Sequence, residues 1–275
     1  MTGAKGPLIV IGGHEDKKGD RTILKAIAKA VIGQKLIIAT IASHRPEGYF
    51  EAYQEAFADL GVGSLVELYV CDREASQDES VPATFSDAGG IFFTGGDQLR
   101  ISSQIGDTPI EAMVRELHER GGLVAGTSAG AAAMSEIMLV KGSSGETHRI
   151  GDLHMAPGLG LVEGAIIDQH FAERGRIGRL LGAVAQNPRI IGIGIDEDTA
   201  IVVNNRVMEV MGSGAVYVVD GSGVTRSNIS EARPERTLSM HDIRLHVLSA
   251  GDIFDLESRS PQSRATQECR EEAHA

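Results

Sequence analysis

The residues best placed to do covalent chemistry lie in the pentapeptide Gly126-Thr127-Ser128-Ala129-Gly130. Before it, Leu123-Val124-Ala125 is an apolar run long enough to finish a buried strand; after it, an alanine-rich segment reads as a helix. This is G-x-S-x-G in a strand–turn–helix setting, where a sharp turn lifts a serine hydroxyl off the end of a sheet. The backbone N–H of Ala129, at the start of that helix, then points to where an oxyanion would form, and the helix dipole favours negative charge there. The bland alternative is a Gly/Ser turn with Ser128 as an N-cap. The strand before and the helix after favour a nucleophile.

A serine nucleophile needs a base. Of the nine histidines, His170 ends the apolar run Ile166-Ile167-Asp168-Gln169-His170, which puts it on the same rim of a sheet as Ser128. His14, in the loop after the first apolar run, is its main rival; His44 follows the second run, and His118 and His154 are weaker. The imidazole in turn needs a carboxylate to fix its tautomer. The run Ile191-Gly192-Ile193-Gly194-Ile195 ends in Asp196-Glu197-Asp198, and spacing alone does not choose among these three acids. The chain order, serine then histidine then acid, departs from the serine–acid–histidine order of α/β-hydrolases. It resembles the nucleophile–His–Glu order of class I glutamine-amidotransferase-like folds.

Past His170 the chain reads Phe171-Ala172-Glu173-Arg174-Gly175-Arg176-Ile177-Gly178-Arg179. Ile177, Leu180, Leu181 and Val184 form an apolar helical stripe, leaving Arg176 and Arg179 three apart on another face. A solvated basic face is the ordinary reading of such a pair. Beside a candidate base, in a chain of formal charge −12, the cluster instead suits an anionic substrate, because guanidinium forks grip carboxylates in pairs.

The elements that must position these groups are legible as short apolar runs separated by helical patterns. Pro7 to Gly12, Lys35 to Ala42, Val66 to Val70, Gly90 to Thr94 and the run before Ser128 read as buried strands. Ile23 to Val31, Tyr49 to Leu60 and Ile110 to Glu119 read as helices. Runs without alternation, divided by helices, predict a parallel sheet covered on both faces, with ligands beyond the carboxyl ends of its strands. Gly12-Gly13, Gly95-Gly96 and Ser128 all fall on that rim, whereas His14-Glu15-Asp16-Lys17 reads as a solvated loop. Farther on, Glu136 to Leu153 reads as loop and hairpin, Leu161 to Asp168 and Ile190 to Ile195 as strands, and Ala172 to Gln186 as a helix. Thr199 to Val203, Val207 to Val210 and Ala215 to Val219 read as successive short antiparallel strands; Leu245 to Leu248 and Ile253 to Phe254 finish the fold. The expected fold is α/β, a mostly parallel central sheet flanked by helices with short antiparallel strands in the C-terminal part. One hydrolytic domain is expected over 1–256, with 257–275 a polar, disordered tail.

Bulk properties narrow the function. The negative charge argues against nonspecific nucleic-acid binding and against docking on acidic membranes, and no run reaches the length of a membrane span. Two cysteines, Cys71 and Cys269, form neither a disulfide framework nor a metal-binding C-x-x-C pair, which suits a reducing compartment. The N-terminal sequence lacks a secretory pattern, so a cytoplasmic location is expected. Neither Gly12-Gly13 nor Gly158-Leu159-Gly160 completes a dinucleotide-binding G-x-G-x-x-G after a strand.

Four segments together carry a family resemblance: Thr94-Gly95-Gly96-Asp97-Gln98, Gly126 to Gly130, D-Q-H-F-x-x-R-x-R-x-x-R from Asp168 to Arg179, and Gly194-Ile195-Asp196-Glu197. With these, the chain from about Pro7 to Phe254 resembles the cyanophycinases, in the serine peptidase family that also includes aspartyl dipeptidases. The G-x-S-x-G element is common to many hydrolases; the element with three arginines is the specific one. The resemblance implies cleavage of cyanophycin, a poly-aspartate whose side-chain carboxyls carry arginine, with release of β-aspartyl-arginine. It implies Ser128 as nucleophile, His170 as general base and Glu197 as the orienting acid. It further implies an oxyanion hole from Ala129 with Gly95 or Gly96, and substrate contacts from Gln98, Asp168, Gln169, Arg174, Arg176 and Arg179. A homodimer that needs no metal or other cofactor is also implied. An aspartyl dipeptidase would share the triad but have less use for three arginines. A noncatalytic amidotransferase-like binding domain would keep the sheet and carry an inert serine.

Overall fold

Period-two alternation of burial, invisible in the uninterrupted apolar runs, sorts each strand's side chains onto two faces. A computed structural model of the protein describes residues 4–78, 81–142, 149–151, 153–231 and 236–262. Five strands, β1 (Leu8–Ile11), β2 (Lys35–Ala39), β3 (Ser64–Leu68), β4 (Ala88–Phe93) and β5 (Leu123–Thr127), lie parallel in the order β3-β2-β4-β5-β1. Ile9, Ile11, Leu36, Ile38 and Phe92 face helices α1 (Thr22–Ala30) and α2 (Tyr49–Phe57). Val10, Ile37, Ile91 and Phe93 face the other way. That side is covered by α3 (Val81–Phe85), α4 (Gln98–Ile105), α5 (Pro109–Glu119) and α6 (Ala129–Ala133).

A second sheet begins where α6 ends. It contains β6 (Ser135–Lys141), β7 (His154–Pro157), β8 (Val162–Gln169) and β9 (Ile191–Ile195), with α7 (Ile177–Gln186) connecting β8 to β9. Its Ile167 and Ile193 join the core shared with the first sheet, while Ile166 packs on Leu180 and Val184 of α7. The chain then returns to the first sheet with β10 (Thr199–Asn204) and β11 (Val207–Gly212), before β12 (Val216–Asp220) crosses to pair with β9. A small pair, β13 (Arg226–Ser227) and β14 (Met240–His241), precedes β15 (Arg244–Leu248), the outer neighbour of β12. Finally β16 (Ile253–Asp255) and β17 (Ser260–Gln262) extend the first sheet beyond β11.

Among the described residues the architecture is therefore α/β with two mixed sheets, of nine and six strands, where the sequence predicts one mostly parallel sheet. An apolar run reports burial on both faces but not the direction of its neighbour; the connection decides that. The tight link from Asn204 to Val207 forces β10 and β11 antiparallel, whereas the helical crossover through α7 allows β8 and β9 to run parallel. Three other expectations change. The stretch after Glu136 supplies β6, which pairs antiparallel with β7 as a hairpin would but also runs parallel to β8 as an interior strand, although 143–148 and 152 lie outside the described residues. Helix α7 starts at Ile177, after a turn, and Ile177 itself is exposed. The polar tail is ordered through Gln262: Arg259 Nη1 donates to buried Asp220 Oδ1 at 2.7 Å, and Asp255 accepts the N–H groups of Glu257 and Ser258. Residues 263–275, with Cys269, lie outside the description. Among the described residues no helix is long and apolar enough to cross a membrane.

Candidate active site

The carboxyl end of β1 organises the site through three consecutive backbone carbonyls. That of Ile11 accepts the N–H of Ser128 at 3.0 Å, that of Gly12 the N–H of His170 at 2.8 Å, and that of Gly13 the N–H of Asp198 at 2.9 Å. Loops following β5, β8 and β9 are thereby fixed to one strip of main chain. The contact leaves no room for side chains: a Cβ on Gly13, whose φ is +105°, would lie 2.6 Å from His170 Nε2.

At the end of β5 the backbone of Ser128 has φ 53° and ψ −112°, a conformation that L-residues enter only when the surroundings hold them there. The flanking glycines permit the turn. A Cβ on Gly126 would fall 2.6 Å from the Gly130 carbonyl carbon, and one on Gly130 would press on the Phe93 carbonyl. Helix α6 is short and wholly buried, which anchors the turn from behind. Gly95 and Gly96, after β4, pass beside Ser128; a Cβ on Gly95 would touch the Ser128 Cβ at 3.4 Å.

Ser128 Oγ lies 2.9 Å from His170 Nε2, and His170 Nδ1 lies 2.6 Å from Glu197 Oε1. Since a carboxylate only accepts, Nδ1 carries the proton and Nε2 faces the serine as an acceptor. His170 is 3 % exposed, and this burial pulls its pKa below the usual histidine value. Arg174 and His14 add to the lowering; the Glu197 hydrogen bond opposes it without prevailing. The imidazole is consequently neutral at pH 7. For Glu197, burial works to raise the pKa, but the hydrogen bonds from His170 and His14 outweigh it.

The two acids beside Glu197 are occupied elsewhere. Asp196 accepts the N–H groups of Ala172 and Ala215, and Asp198 accepts the Asp16 N–H and the Ser213 hydroxyl. They pin the loop so that Glu197 alone of the three reaches His170. His14 takes the other oxygen of Glu197, with Nδ1 2.8 Å from Oε2, and its ring stands edge-on to His170 at 5.0 Å. His14, His170 and Glu197 are, among the described residues, the one group of His, Cys, Asp or Glu whose ligand atoms could converge on a metal ion.

Ser128 opens on a cavity of about 510 Å³ whose lining includes Gln98, Gln169, Arg174, Arg176 and Arg179. Gln98 Nε2 is fixed by the Leu139 carbonyl at 2.7 Å. Arg176 and Arg179 are not a solvated face but are 7 % and 6 % exposed, held by Asp168 from the end of β8. Asp168 is fully buried: Oδ2 accepts Arg179 Nε at 2.6 Å, and Oδ1 accepts both Arg179 Nη2 and Arg176 Nη1. Its expected role as a direct substrate contact gives way to that of a clamp, since protein arginines occupy both oxygens. Gln169 likewise accepts from Arg176 through its backbone and side-chain oxygens. Burial draws the Arg176 pKa down to about 10, helped by Arg179 and Arg174 and opposed by Asp168, and its Nε has no protein acceptor. Arg174 stands exposed at the rim.

His14, Glu15 and Lys17 line this cavity, so the loop His14-Glu15-Asp16-Lys17 is not simply a solvated turn. Glu15 is buried and accepts from Tyr53 Oη at 2.6 Å, Lys17 Nζ at 2.6 Å and Thr127 Oγ1 at 2.5 Å. Burial opposes its ionisation, but Lys17 and the hydrogen bonds prevail and lower its pKa. Lys17 Nζ also lies 4.9 Å over the Tyr53 ring. The sequence signal for this wall was the position of the four charged or polar residues directly after Gly12-Gly13, on the same rim as Ser128.

Comparison with known proteins gives the chain a family. A curated cyanophycinase of Nostoc sp. is 40% identical over 260 residues, covering 93% of this chain and 87% of the relative. One from Geminocystis herdmanii is 38% identical over 260 residues, covering 93% and 96%. The crystal structure of a peptidase from an acI-B1 Actinobacterium superposes with a TM-score of 0.68 at 22% identity, covering 93% of this chain and 98% of that one, a likeness of fold. The model of peptidase family S51 matches residues 8–211, and the chain belongs to that family of serine peptidases.

Proposed function

We propose that the chain hydrolyses the backbone of cyanophycin, releasing β-aspartyl-arginine through an acyl-enzyme on Ser128. The observation that carries this reading is the hydrogen-bonded series Ser128–His170–Glu197 opening on a cavity with three guanidinium groups. Ser128 Oγ bonds to the scissile carbonyl carbon as its proton passes to His170 Nε2; Glu197 stabilises the imidazolium. The N–H groups of Ala129 and of Gly95 or Gly96 take up the oxyanion. As the C–N bond breaks, His170 returns the proton to the leaving amine. A water then attacks the acyl group, His170 takes its proton, and Ser128 is released.

The arginines suit the free carboxylates of a poly-aspartyl chain end. Arg176 has an uncommitted Nε and Arg174 is exposed, so both have donors to offer, while Asp168 keeps the buried pair charged and oriented. Gln98 and Gln169 complete the polar wall. The nucleophile–His–Glu order supports a class I glutamine-amidotransferase-like relationship, with the described chain acting as one hydrolytic unit. Cytoplasmic location and a homodimer are part of the same reading. For the dimer, β15 supplies an edge strand with exposed Leu245 and Val247.

The test incubates wild-type protein and Ser128→Ala with insoluble cyanophycin and analyses the soluble fraction by mass spectrometry. β-Aspartyl-arginine from the wild type and none from the variant is the expected result. Release from neither sinks the substrate assignment and directs the search to aspartyl dipeptides. Equal release from both, with pure protein, sinks the assignment of Ser128.

A further inference from the structure

We propose that His14, His170 and Glu197 form an inhibitory site for zinc or a similar transition-metal ion, mutually exclusive with catalysis. The three side chains come from the loops after β1, β8 and β9, and their ligand atoms all lie within 4.8 Å of one another. Glu197 bridges the two imidazoles, Oε1 at 2.6 Å from His170 Nδ1 and Oε2 at 2.8 Å from His14 Nδ1. A tetrahedral zinc ion with ligands at about 2.0–2.2 Å separates them by roughly 3.3–3.6 Å, so each Glu197–imidazole pair has to open by less than about 1 Å, while the two imidazoles already lie within reach of one ion. His170 is fixed by burial, while the His14 side chain is 71% exposed and free to swing onto the ion. Two imidazoles and one carboxylate favour zinc, copper or nickel over magnesium or calcium. Water completes the shell from the open side.

Inhibition follows from proton bookkeeping on His170. In the catalytic arrangement Nδ1 carries the proton and Nε2 accepts from Ser128 Oγ. A metal on Nδ1 moves that proton to Nε2, leaving a neutral imidazole that donates toward the serine and cannot take its proton. A metal on His14 Nδ1 likewise leaves that ring with its proton on Nε2. Glu197, already ionised, is withdrawn from orienting the base. One ion therefore removes both the base and its partner, and His14 provides the third ligand that makes binding effective.

The inhibitory consequence rests on the triad proposed above, whereas metal binding does not, and two readouts separate them. Binding is measured on full-length Ser128→Ala by competition with a chromophoric zinc chelator and by visible absorption of Co²⁺. Inhibition is measured on the Ser128 protein as the rate of labelling by a fluorophosphonate, which requires no knowledge of the substrate. Zinc is expected to bind at one site and to slow labelling reversibly, with EDTA restoring the rate and Mg²⁺ having no effect. Loss of one ligand in His14→Ala should weaken binding about tenfold or more and raise the half-inhibitory zinc concentration by the same factor, each variant being referred to its own metal-free rate. His14→Asn serves if the alanine variant melts early. Equal zinc affinity with and without His14, or binding at this site that leaves labelling untouched, overturns the proposal. His14-dependent binding in a protein that leaves cyanophycin intact would retain the metal site and discard the substrate.

Discussion

Gly13→Ala isolates how much of the activity depends on the main-chain strip that holds the base. The new Cβ would sit 2.3 Å from His170 Cε1 and 2.6 Å from Nε2, against an ordinary contact of at least 3.4 Å, so the ring must retreat by about 1.1 Å. That displacement falls on a hydrogen bond of 2.9 Å to Ser128 Oγ. Misplacing a reacting group by about 1 Å costs on the order of 100-fold in rate, or about 2.7 kcal/mol of transition-state stabilisation. The substitution also forces a Cβ-bearing residue to φ +105°, with a stability cost of about 1–3 kcal/mol. Gly33→Ala supplies the control: its φ is +69°, yet a Cβ there meets nothing within 4 Å. Both variants should melt earlier than the wild type, but only Gly13→Ala should lose about 100-fold in fluorophosphonate labelling and in soluble dipeptide release. If Gly13→Ala retained activity within about threefold, or if Gly33→Ala lost as much, crowding at His170 would not be the cause and the reasoning would be refuted.

Further outcomes follow from the same geometry. The acid limb of kcat/KM should have its midpoint below 6.5, because burial lowers the His170 pKa and the base works only when neutral; activity is present above that pKa and lost as pH falls through it. A midpoint above 6.5 in a pH–rate profile would contradict this. Glu197→Gln should reduce kcat by about 10³–10⁴ and move the residual acid limb lower, since the Glu197 hydrogen bond raises the His170 pKa; an unchanged kcat would remove Glu197 from the mechanism. Asp168→Asn strips the counter-charge from two buried guanidiniums and should cost about 3–5 kcal/mol in denaturant unfolding, together with a large rise in KM. A stability change under about 1 kcal/mol would show that the pair has another counter-ion. Arg174→Ala, at an exposed position, should raise KM about tenfold while stability stays within about 0.5 kcal/mol; an unaltered KM would exclude it from substrate binding.

The one-dimensional pattern determined the elements and the candidates for chemistry. Apolar runs ending in glycine or polar residues located most strands, because burial on both faces leaves no room for polar side chains. The G-x-S-x-G turn was legible because only glycine tolerates the approach of Gly126 to Gly130 and of Gly130 to Phe93. His170 and the acidic triplet were legible as strand ends on the same rim. Sheet direction was not, since pairing depends on connections: β10 and β11 turn back on each other, and β12 leaves for the other sheet. Nor were the partners of charged groups. Spacing did not separate Glu197 from Asp196 and Asp198; the family resemblance pointed to Glu197, and the tertiary structure supplies the physical reason, because hydrogen bonds from Ala172, Ala215, Asp16 and Ser213 commit the other two. It likewise turned Asp168 from a substrate contact into the clamp of Arg176 and Arg179, and His14–Lys17 from a solvated loop into a wall of the cavity. Residue type and local spacing announce what a side chain can do; which partner satisfies its charge or its hydrogen bonds is decided by neighbours distant in the chain, and these meet only on folding.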